Sequence, residues 1–261
     1  MLPFEDSKSL SLLYHLNSEP WGNMDAYQSA TYEVEYKNVV TSSPALALPT
    51  PSESDLLQLL TNRRSCRAYE LKTLPLSALS ALLRGSYGIT RTDAALLGGS
   101  LALMRSVPSA GGLFPLELYV ASQAVEDLSD GLHHYNVRTH ALEPMSNGPI
   151  FKALEPHLFM YQAVERANII VFLAAVFNRT QKKYGPRGYR YVLLEAGHVA
   201  QNLCLLAVEQ GLGSLCMGGY GDGGLNSALG LVPLEEGVVY AVAIGWPAIA
   251  RPATDHGATY G

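Results

Sequence analysis

The chain has 261 residues, 48% hydrophobic and 16% charged, which excludes a disordered, collagen-like or coiled-coil protein and leaves enough chain to bury a core without staples. Its 18 basic residues against 23 acidic ones give a formal charge of −5 and exclude nucleic-acid binding driven by bulk charge. Three scattered cysteines, Cys66, Cys204 and Cys216, exclude a disulfide framework and a cysteine zinc site, and they fit a reducing compartment.

The N-terminus, MLPFEDSKS, carries acids and lacks the apolar stretch of a signal peptide. The longest apolar runs, 169–177 and 238–246, are nine residues each. That is far short of the ~20 needed to span a bilayer, so a soluble, cytoplasmic protein without membrane contact is expected. Residues 1–42 are polar, with Tyr14, Trp21, Tyr27, Tyr32 and Tyr36 interspersed and little periodicity. They read as an arm that ends in a Ser/Pro/Ala linker at 42–52, followed by one domain over 53–261.

Ser54 is a helix cap for 55–62. A second helix opens at Ser77, with Leu79, Leu82, Leu83 and Tyr87 on one face. Strands are predicted at 116–121 and 132–135, the latter pairing with 140–142 across the turn 136–139. Residues 169–176 form an apolar, β-branched run, the pattern of a strand buried on both faces. The longest helix covers 189–210 and stops at Gly211. Its stripe of Val192, Ala196, Val199, Leu203 and Leu206, widened by Leu193, Ala200 and Ala207, requires burial inside the protein or a dimer. Strands at 212–217 and 238–244 complete the series, and helices and strands without strict alternation predict an α+β fold.

Four segments carry candidate chemistry. Arg63, Arg64, Ser65 and Arg67 place three guanidiniums and a hydroxyl within five residues, a donor set suited to one phosphate; the alternative is a solvated helix end. The run from Arg105 to Gly112, with Pro108, Ser109, Ala110 and Gly111, lets a backbone approach a flat ligand and offers free N–H groups, or simply turns into the next strand. Arg179, Lys182, Lys183, Arg187 and Arg190 put five cations in twelve residues with no acid among them. Clustered cations favour proton loss from a neighbouring lysine or tyrosine, so Lys183 and Tyr184 are candidate bases; the alternative is an exposed basic loop. The fourth segment is a glycine-rich loop containing Gly218 and Gly219. Of the histidines, His198 reads as a core residue. His133 and His134 fall in a strand, where neighbours face opposite ways and share no metal.

Taken in order, RRSCR, PSAGGLFPLELYV, KYGPRGYRYVLLEAGHVAQNL and the late GGY resemble the nitroreductase family, over about residues 53–246. More narrowly they resemble its SagB-type dehydrogenase branch, which includes azoline oxidases of ribosomal peptide pathways; Tyr14 to Ser18 is similar to that branch's N-terminal segment. The resemblance implies a central, mainly antiparallel sheet flanked by helices, an interlocked homodimer and FMN held between subunits. It implies that Arg63, Ser65 and Arg67 hold the phosphate and ribityl chain, with Arg251 as a further cation. Pro108, Ser109, Ala110 and Gly111 line one side of the isoalloxazine and Gly218 and Gly219 the other, while Lys183 and Tyr184 match the pair assigned to proton removal. No metal is implied. The partners implied are a peptide or small-molecule substrate and a cyclodehydratase complex. The alternatives are an NAD(P)H-dependent FMN reductase of nitro, quinone or dehydroamino-acid substrates, and a flavin-bearing partner subunit without turnover.

Overall fold

The computed structural model describes residues 7–18, 36–37, 44–97 and 100–248. In chain order these form α1 (Ser7–Asn17), α2 (Asp55–Asn62), β1 (Tyr69–Glu70), α3 (Leu76–Tyr87), β2 (Ile89–Leu97), β3 (Ser100–Arg105), β4 (Leu116–Ser122), β5 (Gly131–Asn136) and β6 (Ala141–Asn147). They continue with α4 (Ile150–Leu154), α5 (Tyr161–Val164), β7 (Ile169–Val176), α6 (Phe177–Tyr184), α7 (Arg187–Glu209), β8 (Gly213–Met217), α8 (Asp222–Ala228) and β9 (Glu236–Pro247).

An apolar run with no polar face has nothing to offer water, and β7 accordingly sits mid-sheet between β4 and β9. The sheet order is β1-β9-β7-β4-β5-β6, with β8 on the same edge of β9 as β1, and every strand pair is antiparallel. Successive β7 side chains alternate between two cores. Ile169, Val171 and Leu173 pack with Leu79, Leu82 and Leu83 of α3 and Val192, Val199 and Leu203 of α7. Ile170 and Phe172 pack on the opposite face with Leu154 of α4, Val164 of α5 and Leu225 of α8. Each fully buried Leu or Ile in these layers contributes about 1.5–3 kcal/mol relative to its exposure to water. The result is the expected α+β architecture, a mainly antiparallel sheet between helical layers.

Ser54 caps α2 by accepting from the Leu57 amide. Helix α3 begins one residue before Ser77, with Pro75 at its N-cap and no side-chain cap; the proline fixes φ, so a hydroxyl cap is dispensable. Strands β2 and β3 pair with each other and are absent from the sequence expectation, because neither alternates polar and apolar residues cleanly. The basic segment expected as a loop is the helix α6, anchored by the buried Phe177 and Thr180. Within the N-terminal arm, α1 docks on the α6–α7 hairpin: Gln181 Nε2 donates to Ser11 Oγ at 2.8 Å, and His15 Nδ1 lies 3.1 Å from Tyr189 Oη. Trp21, Tyr27, Tyr32 and Arg251 lie outside the described residues.

Helix α7 is, among the described residues, long and apolar enough to cross a membrane by length and composition. Its inner face is nonetheless core, with Val192, Ala196, Val199 and Leu203 buried. Its outer face is uncovered in the single chain: Leu194 is 55% exposed, and His198, expected in the core, lies exposed there. Helix α2 buries nothing, and its Leu56, Leu57 and Leu60 are exposed.

Candidate functional site

The glycine-rich loop before β4 is held in an unusual shape. Gly111 and Gly112 sit at φ +64° and +66°, and Phe114 follows at +44°, a left-handed value that costs a non-glycine residue energy. The compensation comes from below the loop. Ser109 Oγ accepts the Phe114 amide at 2.9 Å and hydrogen-bonds to Glu195, a 2%-exposed carboxyl on α7. Tyr87 at the end of α3 donates its hydroxyl to Glu195 Oε1 at 2.8 Å and accepts the Leu116 amide at 3.2 Å. The Arg105 guanidinium stacks 4.2 Å from the Tyr87 ring centre and 5.0 Å from that of Phe114. Burial raises the pKa of Glu195, against the hydrogen bonds from Ser109 and Tyr87 and the Arg105 charge, which favour the carboxylate. Arg105 Nη1 and Ser106 Oγ are buried without a hydrogen-bond partner among the described residues.

Glu195 was not among the sequence candidates. Its signal is positional: a carboxylate three residues after Val192 and four before Val199, on the apolar face of α7. Tyr87→Phe removes the donor to Glu195 and the acceptor for Leu116. We expect it to cost about 1–3 kcal/mol, the usual penalty for leaving buried polar groups unpaired, read as a lower urea midpoint with an unchanged slope.

Lys183 and Tyr184 close on the same loop from above. A methyl group placed on Gly111 would lie 2.7 Å from Tyr184 Oη and 2.8 Å from Lys183 Nζ. The ammonium sits 5.3 Å from the Tyr184 ring centre, and Tyr191 stands edge-on to that ring at 5.0 Å. The two residues end α6 rather than occupying an irregular loop. Neighbours on a helix diverge by about 100°, against about 180° on a strand, so a long lysine stem and a tyrosine ring can meet at one point. Gly185, at φ +55°, stops the helix immediately after them.

The five-cation cluster is not preserved as such. Arg179 is taken by Glu117 of β4, at 2.5 Å from Oε1. Glu117 also meets His134 Nε2 at 3.0 Å, and His134 Nδ1 meets Glu143 at 2.9 Å. His133 points the other way, buried against Ser122. The hydrogen bond to Glu117 raises the pKa of His134, against desolvation and with help from Glu143. Burial pushes Glu117 up, but His134 and Arg179 outweigh it and hold its carboxyl below the ordinary value. A raised histidine pKa contributes stability that is full below the unfolded value near 6.5 and lost as pH rises through the folded value. The wild type should therefore exceed His134→Gln in stability at pH 6 by more than at pH 9, in paired urea titrations.

The Arg63–Arg67 segment lies elsewhere. Arg63 caps the end of α2, Ser65 bridges to Ser214 at the start of β8, and the Cys66 amide donates to Ser214 O at 2.8 Å. Arg64 spends its guanidinium on the Thr61 and Arg63 carbonyls. Arg63, Arg64 and Arg67 make no ion pair with any described residue, since the ion pairs present join other groups. Ser214 Oγ beside them is buried, with Cys204 as a side-chain neighbour. This is a donor set open to an anion. Gly218 and Gly219 leave the opposite end of β8, where a methyl on Gly219 would already touch Phe159 at 3.4 Å.

Sheet register separates these places within one chain. Ser214 pairs with Ile244, Ile244 with Ile169 and Ile169 with Ser122, whereas the glycine loop enters at Leu116. From Ser65 to that loop is thus four strand spacings across and six residues along, about 20 Å in each direction. Within one chain the Arg63–Arg67 segment and the Gly111 loop are therefore remote from each other.

The chain matches the nitroreductase family model over residues 60–246. It is 33% identical over 184 residues to a presumed nitroreductase of Methanocaldococcus jannaschii, covering 70% of this chain and 88% of that one. It is 31% identical over 137 residues to the microcin B17-processing protein McbC of Escherichia coli, spanning 46% of each chain. Among solved structures, it superposes on a chain of the E. coli microcin synthetase McbBCD complex with truncated pro-MccB17 bound. There the TM-score is 0.65 at 19% identity, over 92% of this chain and 93% of that one. A presumed nitroreductase of Anabaena variabilis gives a TM-score of 0.60 at 25% identity, over 90% of this chain and 45% of that one.

Proposed function

The chain belongs to the nitroreductase family of oxidoreductases, and from that premise we propose that it is an FMN-dependent dehydrogenase that oxidises azoline rings in a peptide to azoles. The observation that carries the proposal is the convergence of Lys183 Nζ and Tyr184 Oη on Gly111. A reductase that delivers hydride to an acceptor has no need of a strong base, whereas aromatising an azoline must remove a ring proton from the α-carbon. Similarity to a microcin-processing protein supports the same reading.

The residues present fit FMN. Arg63, Ser65 and Arg67 would hold its phosphate and ribityl chain, and guanidiniums without a carboxylate partner among the described residues suit that corner to an anion. Pro108 to Gly111 would line the ring system from one side, and Gly218 and Gly219 from the other. When bound, FMN supplies the hydride acceptor. The protein's part is to orient the azoline, exclude water and take the α-proton at Lys183 or Tyr184.

Because the half-sites of one chain lie apart, a complete site requires a second copy to bring its Gly111 loop to the first copy's Arg63 corner. The uncovered apolar face of α7 and the exposed leucines of α2 are the surfaces for that homodimer. The peptide would arrive with azolines already formed, so a cyclodehydratase is the expected partner.

The purified protein should be a yellow dimer by light scattering, with FMN released on denaturation. Stopped-flow flavin reduction separates the main reading from its rival. Bleaching by an azoline peptide but not by NADPH supports the dehydrogenase. The reverse establishes an NAD(P)H-dependent reductase, the reading that similarity to the M. jannaschii protein favours.

A further inference from the structure

Three thiols cluster around the α7–β8 junction, and two of them touch. Cys204 Sγ lies 3.5 Å from Cys216 Sγ. The contact follows from the fold. Leu215 and Met217 of β8 pack into the core on one face of the sheet, so Cys216 between them faces the other way, toward α7. Cys204 comes down from the last two turns of α7 and is 4% exposed, while Cys216 is only partly buried. Twelve residues separate the two, through the turn at Gly211.

We propose that Cys204 and Cys216 are an oxidisable dithiol that closes to a disulfide when hydrogen peroxide reaches it. Their roles differ. Cys216 loses its proton more readily than a free thiol because Cys204 donates to it, against partial burial, with Tyr240 and the Arg63 charge adding to the effect. Cys204 is pushed the other way by the same contact and by burial. Cys216 is also the more exposed of the two, which makes it the attacking thiolate and the buried Cys204 the resolving thiol.

The Cys216 thiolate attacks one peroxide oxygen; the S–O bond forms, the O–O bond breaks, and the departing hydroxide takes up a proton to leave as water. Cys204 then gives up its proton and attacks the sulfenic sulfur; the S–S bond forms, the S–O bond breaks, and a second water leaves. Two thiols are oxidised and one peroxide is reduced. The sulfurs, 3.5 Å apart, must close by about 1.5 Å to reach bonding distance. The dithiol needs no cofactor, so added peroxide suffices as oxidant.

The full-length protein is treated with hydrogen peroxide, quenched, denatured and alkylated. Untreated protein should take up three labels and oxidised protein one, on Cys66, with two hydrogens lost from the intact mass. Cleavage after glutamate cuts at Glu209, so Cys204 and Cys216 fall on different peptides and should be recovered as one linked pair. Cys204→Ser should leave Cys216 as a sulfenic acid trapped by dimedone, and Cys216→Ser should leave Cys204 fully alkylatable after peroxide. Three labels after peroxide, or a link that includes Cys66, overturns the proposal.

Discussion

Lys183→Ala and Tyr184→Phe should each keep FMN and slow azoline oxidation by about 10²–10⁴-fold, the usual cost of a lost general base. The expectation rests on geometry, since both side-chain ends lie against Gly111 in the loop proposed to line the flavin ring. The readout is mass: each ring converted loses two hydrogens from the peptide, followed over time. Gly111→Ala supplies a third arm, because its methyl would fall 2.7 Å from Tyr184 Oη and its φ of +64° strains any residue with a Cβ. It should slow the same step by displacing both groups. Near-normal rates in Lys183→Ala and Tyr184→Phe would reduce the pair to a shaped helix end.

Arg63→Ala and Arg67→Ala should each weaken FMN binding by about 10- to 150-fold, from charge-assisted bonds of about 1.5–3 kcal/mol apiece. Arg64→Ala is the internal control, since that guanidinium already serves the carbonyls of Thr61 and Arg63. Flavin fluorescence titrations of apoprotein measure the constants. Riboflavin, which lacks the phosphate, should lose less affinity than FMN in both variants. Equal losses for riboflavin and FMN would move the phosphate away from this corner.

Local rules made most of the scaffold legible. The α7 stripe, the all-apolar β7 and the Ser54 cap each depend on near neighbours in sequence, and each element stands within a few residues of its expected bounds. The four candidate segments were picked on chemistry alone, as phosphate-type donors, small residues and paired base candidates. Three things were decided only by the folded chain. Helix α6 forms at a polar segment because Phe177 and Thr180 find a core that no local pattern announces. Glu195 becomes the support of the glycine loop only because α3, β3 and α7 bring Tyr87, Arg105 and Ser109 around it. Last, strand order places Ser65 and Gly111 at opposite corners of one sheet, since β8 joins the far edge of β9 while β4 lies beyond β7. Residue types and spacings picked out the candidate segments; only long-range pairing, which sequence periodicity does not encode, placed Ser65 and Gly111 far apart in one chain.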